Sequence, residues 1–175
     1  MLTASADGTA RLWDARDGAA GLTLKGHGDS VFAVGFSADG RRVVTGGSDG
    51  TALLWDARTG TAVRALKGHS GPVRAARFSP DGRRVLTASE DGTARLWDAR
   101  SGQALRVLRG HERAVKAAAF SPDGRRLLTG GDDRTARLWD AESGAPLALL
   151  EGHHAGLRAV AFSPDGRRLA SASHD

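Results

Sequence analysis

The chain has 175 residues, 40% hydrophobic and 26% charged, with a net charge of +5. That balance fits one folded domain and neither a disordered tail nor a membrane protein. Cysteine is absent, which excludes disulfides, thiolate metal sites and cysteine nucleophiles. No apolar run approaches the roughly 20 residues of a spanning helix, and no basic stretch followed by an apolar one opens the chain. The expectation is a soluble cytoplasmic protein with no membrane contact. Of its 25 basic residues 22 are Arg, and Asn, Ile and Tyr are missing, a bias that points to a GC-rich bacterial coding sequence.

One unit recurs from end to end. Trp-Asp stands at Trp13-Asp14, Trp55-Asp56, Trp97-Asp98 and Trp139-Asp140, and Gly-His at Gly26-His27, Gly68-His69, Gly110-His111 and Gly152-His153, both spaced by 42. In chain order, Leu2 to Gly18 matches Leu86 to Gly102, so residues 1–24 are expected to form strands b, c and d of a partial unit. Complete units follow at 26–66, 68–108 and 110–150, and residues 152–175 supply strands a and b of another partial one. Each strand a is an apolar run ending in Phe: Val31 to Phe36, Val73 to Phe78, Val115 to Phe120 and Leu157 to Phe162. Ser-Ala-Asp-Gly or Ser-Pro-Asp-Gly follows, and Asp-Gly between apolar runs predicts a tight hairpin because glycine accepts a positive φ. Strand b is short and apolar, as in Val43 to Thr45, and a turn such as Ser48-Asp49-Gly50 leads into strand c. A third turn, such as Arg58-Thr59-Gly60, opens strand d at Ala62 to Leu66. No stretch has the 3.6-residue period of a helix, so the fold class is all-β.

A period near 42 carrying Gly-His and Trp-Asp resembles the WD40-repeat family over the whole chain. The resemblance implies WD40-type β-propeller blades, about four per chain with four antiparallel strands each. It also implies a non-catalytic protein-protein interaction scaffold with a protein or peptide partner. Within the blades it implies three structural hydrogen-bonded sets: His27, Thr45, Asp49 and Trp55; His69, Thr87, Asp91 and Trp97; His111, Thr129, Asp133 and Trp139. The partial units hold pieces, Thr3, Asp7 and Trp13 at one end and His153, Ser171 and Asp175 at the other. An alternative reading is the truncated C-terminal tail of a larger bacterial regulator of kinase or NTPase type. A remoter one is a hydrolase whose Thr, His and Asp form a catalytic triad. Catalytic sites occur once and need a cleft, whereas this set recurs in every unit. His153, His154 and His174 lack a zinc-binding spacing, and no glycine-rich loop leads into a helix, so neither metal nor cofactor is expected.

The pI near 10.8 raises the question of nucleic acid. The four Asp-Gly-Arg-Arg turns, read as solvated surface, are offset by acidic c–d turns on the same face, and no aromatic residues interleave with the basic ones. Nucleic acid is therefore not expected as a partner. Arg74, Lys116 and Arg158 occupy one place in successive a strands, where the first unit has Phe32, and are the candidate ligand-facing residues. The two partial units suggest a last expectation. Four blades in a closed ring would each turn through 90°, against about 50° in a seven-bladed one, so two copies exchanging their partial units into an eight-bladed homodimeric ring are expected, with an open fragment or a closed monomer as alternatives.

Overall fold

The computed structural model describes all 175 residues and contains seventeen β-strands and no helix. The first sheet is β1 (Leu2–Ala4), β2 (Thr9–Trp13) and β3 (Ala20–Lys25). Three four-stranded antiparallel sheets follow. They are β4 (Val31–Phe36) to β7 (Ala62–Lys67), with β5 (Arg42–Gly47) and β6 (Thr51–Asp56) between; β8 (Val73–Phe78), β9 (Arg84–Ser89), β10 (Thr93–Asp98) and β11 (Ala104–Arg109); and β12 (Val115–Phe120), β13 (Arg126–Gly131), β14 (Ala136–Asp140) and β15 (Pro146–Leu150). The last sheet has two strands, β16 (Leu157–Phe162) and β17 (Leu169–Ser173). Within each sheet every strand pairs with its sequence neighbour, as tight hairpins dictate.

The register within each complete sheet follows the apolar pattern, with one irregularity in the a–b pair, one in the c–d pair and none in the b–c pair. Val43 opposes Trp55 and Thr45 opposes Leu53, with the same pairing two blades on, Leu127 opposite Trp139 and Thr129 opposite Arg137. Strand a carries an irregularity between its first and third residues in every sheet that has one, at Val31/Ala33, Val73/Ala75, Val115/Ala117 and Leu157/Ala159. Such an extra residue bends the strand, and it leaves Phe32, Arg74, Lys116 and Arg158 outside the ladder at the same place in each blade.

The apolar core lies between the sheets. Val44, Leu54 and Leu66 of one blade meet Val73, Val85 and Trp97 of the next, and Leu86, Leu96 and Leu108 meet Val115, Leu127 and Trp139 in turn. Each blade's Trp thus fills its predecessor's face: Trp55, Trp97 and Trp139 are at most 2% exposed. Trp13, with no blade before it, is only half-buried. The a strands β4, β8, β12 and β16 lie side by side along a concave inner wall, and the sheets stop as an open arc. The first sheet has no strand a and the last no strands c and d.

The paired arginines of the a–b turns depart from the sequence reading. The first of each pair is exposed, but in the first three pairs the second is half-buried and crosses to the next blade. Arg42 Nη2 donates to the Gly82 carbonyl at 2.6 Å, Arg84 to Gly124 at 2.7 Å and Arg126 to Gly166 at 2.7 Å. The same guanidinium groups lie over Phe78, Phe120 and Phe162 at 5.1, 5.9 and 5.4 Å from the ring centroids, within cation–π range. These side chains couple neighbouring blades, because a turn carbonyl and an aromatic ring sit one blade away at the arginine's reach. Replacing Arg84 by Ala should therefore cost about 1–2 kcal/mol, against less than about 0.5 kcal/mol for Arg83→Ala. Urea denaturation of the two variants checks this, and equal losses would remove the coupling role.

Candidate functional site

Two constellations recur with the blades, one buried inside each sheet and one on the rim of the concave wall. The buried one is built from the loop before strand a, the middle of strand b, the b–c turn and strand c. In the central blade Trp97 Nε1 donates to Thr87 Oγ1 at 2.8 Å, that oxygen lies 2.8 Å from His69 Nε2, and His69 Nδ1 lies 2.8 Å from Asp91 Oδ2. The corresponding separations are 2.9, 2.7 and 3.1 Å for Trp55, Thr45, His27 and Asp49, and 2.9, 2.8 and 2.8 Å for Trp139, Thr129, His111 and Asp133. Trp can only donate and an ionised Asp can only accept. The bonds therefore run in one direction, from Trp to the Thr oxygen, from the Thr hydroxyl to Nε2, and from Nδ1–H to the carboxylate. This assigns a neutral imidazole with its proton on Nδ1.

A fifth member belongs to each set and was not read from the sequence. Thr51, Thr93 and Thr135 donate both backbone N–H and hydroxyl to the other oxygen of the Asp, at 2.9 and 2.7 Å for Thr93. The backbone N–H after each His, that of Gly28, Ser70 or Glu112, donates at 3.1 Å as well. The signal was present: a Thr lies two residues after each recurrent Asp, the spacing of an Asx turn. Burial pushes the Asp91 carboxyl up, but hydrogen bonds from Thr93 and His69 outweigh it and hold its pKa at about 2. Burial lowers the pKa of His69 and His111 more than their Asp partners raise it.

The order hydroxyl, imidazole, carboxylate is also that of a hydrolytic relay. Thr45, Thr87 and Thr129 are 0% exposed, and each oxygen already accepts from an indole N–H, so no acyl group reaches them. At the open ends the pieces are simpler. Trp13 Nε1 donates to Thr3 at 2.8 Å, and His153 joins Ser171 at 2.8 Å and Asp175 at 3.0 Å.

The rim constellation brings Arg74, Lys116 and Arg158 together with Phe32 around one recess. The structure adds two acids, Glu90 and Asp132, each one residue before a recurrent Asp. Arg74 meets Glu90 at 2.7 Å, Lys116 meets Glu90 at 2.5 Å and Asp132 at 3.6 Å, and Arg158 meets Asp132 at 3.5 Å. Arg74 also lies over the Phe32 ring at 3.8 Å. The result is an alternating ladder across three blades, three cations to two carboxylates, with the Arg158 side chain 51% exposed at its end.

One turn of this face is strained. Gly8, Gly50 and Gly92 take φ of +81°, +75° and +80° in their b–c turns, and the fourth position holds Arg134 at +69°. A side chain there costs about 1 kcal/mol that glycine avoids, so Arg134→Gly should raise the thermal midpoint by a degree or two. A fall on calorimetry would show that the exposed side chain compensates.

The polar sets make two further outcomes measurable. Trp97→Phe or Asp91→Ala should destabilise by a few kcal/mol, since each leaves buried groups without partners. For pH the sign follows from the shifts. His69 and His111 have depressed native pKa values, so below about pH 6.5 the unfolded chain binds protons that the native one does not. Stability should fall as pH drops through that range, and again below about pH 4 as Asp91 is approached. Denaturant midpoints between pH 7.5 and 3 test this; a flat profile from 7 to 5 contradicts the neutral-imidazole assignment.

Comparison with known families gives the same period. The profile of the WD domain, G-beta repeat, matches residues 19–56, 60–98, 102–140 and 144–175. No curated protein matches the chain. Each matched segment runs from strand d of one sheet through strands a and b of the next, and the first three also include strand c and its Trp-Asp. The match covers most of the chain, which belongs to the WD40-repeat family.

Proposed function

We propose that the chain is a non-catalytic interaction scaffold that holds a carboxylate-bearing segment of a protein partner along the rim ladder. The observation that carries this reading is the ladder's imbalance. Three cations share two acids around the Phe32 recess, so one positive charge is left for a ligand, and the ring of Phe32 offers it an apolar wall. WD40 repeats generally serve protein interaction, which supports the class of partner. The rim has few aromatic anchors, so binding is electrostatic and salt-sensitive rather than tight.

The test uses a Glu-rich peptide labelled for fluorescence anisotropy. Replacing Arg74, Lys116 and Arg158 together by Ala should weaken binding about tenfold or more and flatten its salt dependence. Glu90→Gln should do the opposite, because it frees Arg74 and Lys116. Unchanged affinity in the triple variant would remove the rim from the reading.

We propose also that two 175-residue chains complete each other. The first sheet lacks strand a and the last lacks strands c and d, so head-to-tail exchange gives eight blades with twofold symmetry and covers both open sheets. Light scattering on the eluting chain should then give twice 18.2 kDa; a monomer at micromolar concentration argues for closure or an open arc instead.

A further inference from the structure

The polar sets that the fold needs return every 42 residues, but the last position but one of strand a holds Gly35, Arg77, Ala119 and Ala161 in turn. Arg77 is therefore a cation that three of the four a strands do without. Its Nη1 donates to the Ala76 carbonyl and to that of Val34 in the preceding blade, both at 3.0 Å. A Cβ at Gly35 would stand 3.1 Å from the Ala76 carbonyl and 3.9 Å from Nη1, so the glycine keeps that corner open for the guanidinium. Nε and Nη2 meet no protein acceptor, and no carboxylate pairs with the group. Arg74, Lys116 and Arg158, by contrast, each have an acidic partner. The Arg77 side chain reaches water, yet the wall around it withdraws enough solvent to push its pKa below the ordinary arginine value. A bound anion would offset that cost.

Arg77 lines a recess of about 580 Å³ along the concave wall, where consecutive a strands meet, and that volume falls in the range of small-molecule sites. Four cations, Arg74, Arg77, Lys116 and Arg158, line it and no acid does; Ala, Val and Phe supply twelve of its twenty lining residues. Glu90 and Asp132, which hold the rim cations, are not among them. We infer that this recess binds a small amphipathic monocarboxylate, with the carboxylate on Arg77 and the apolar body along Ala117, Ala119 and Val160. A planar guanidinium with two uncommitted N–H edges fits the two oxygens of a carboxylate, and such a fork is stronger than a single hydrogen bond. The apolar body is required as well, because an acid without one leaves the alanine wall in water. An apolar molecule without the charge leaves Arg77 unpaired. The site lies deeper than the rim ladder and does not rest on the peptide reading, since it uses the one cation of the wall that no acid of the chain neutralises.

Octanoate is the probe, titrated into the isotope-labelled chain and followed by NMR. It should bind saturably with a Kd of about 1 mM or tighter, and the shifts should centre on the amides of Ala117 to Ala119 and Ala159 to Ala161. Octanol, which lacks the charge, and acetate, which lacks the body, should each bind about tenfold or more weaker. Arg77→Gln should weaken octanoate about tenfold or more, and Arg77→Lys should recover only part of that, because an ammonium offers no fork. Ala161→Trp, at an exposed position of the wall, should block the recess with Arg77 still in place, which keeps the test open if the Arg77 variants fold poorly. Affinity for the Glu-rich peptide should stay within about twofold in Arg77→Gln, so the rim reading and this one fail separately. Octanol binding as tightly as octanoate would overturn the inference, as would octanoate affinity unchanged by both Arg77→Gln and Ala161→Trp. So would the absence of saturable octanoate binding, and if the peptide alone then depended on Arg77, that cation would belong to the partner's segment.

Discussion

The structure depends on one buried oxygen per blade. The hydroxyl of Thr45, Thr87 or Thr129 accepts from an indole, faces an imidazole and is wholly shielded from water. An unpaired hydroxyl in that position would be costly, so its bonds fix the distances among strands b and c and the loop before strand a. The Trp whose N–H it accepts presses its ring into the previous blade's core. The same side chain therefore sets the register within a sheet and fills the contact between sheets. That is why a 42-residue unit with few aromatic residues holds a unique arrangement.

Much of this was legible in the sequence because of period. Turn chemistry recurring every 42 residues marked the hairpins, and the a strands, Val31 to Phe36 and its three counterparts, are found with the same bounds. The polar residues were legible for the same reason: a lone His or Thr carries no message, but one that returns in phase with Trp-Asp does. Strand b extends beyond Thr45 to Gly47, because pairing continues with strand c at Gly46 and with strand a at Gly47, residues too small to register as apolar.

What escaped the sequence lies between units. Arg42, Arg84 and Arg126 read as solvated turn charge because nothing local distinguishes the second arginine of each pair from the first; the difference appears only when the next blade's glycine carbonyl arrives 40 residues later. Glu90 and Asp132 are similar. Their cross-blade contacts, Glu90 with Lys116 and Asp132 with Arg158, depend on the wedge between sheets, which a one-dimensional pattern does not contain. The fifth polar member, Thr51, Thr93 or Thr135, was in phase and could have been read.

Because every blade touches only the blades on either side, the arc behaves thermodynamically as a short linear chain of coupled units. The central blade, β8 to β11, has two complete interfaces, whereas β16 and β17 have one, and their residues stay largely exposed. In a single uncovered arc, opening should begin at the ends and move inward, so amide protons of β9 and β10 are the last to exchange with solvent and those of β1 and β17 the first. The arginine bridging each pair of sheets then sets how far such fraying travels before the whole arc lets go.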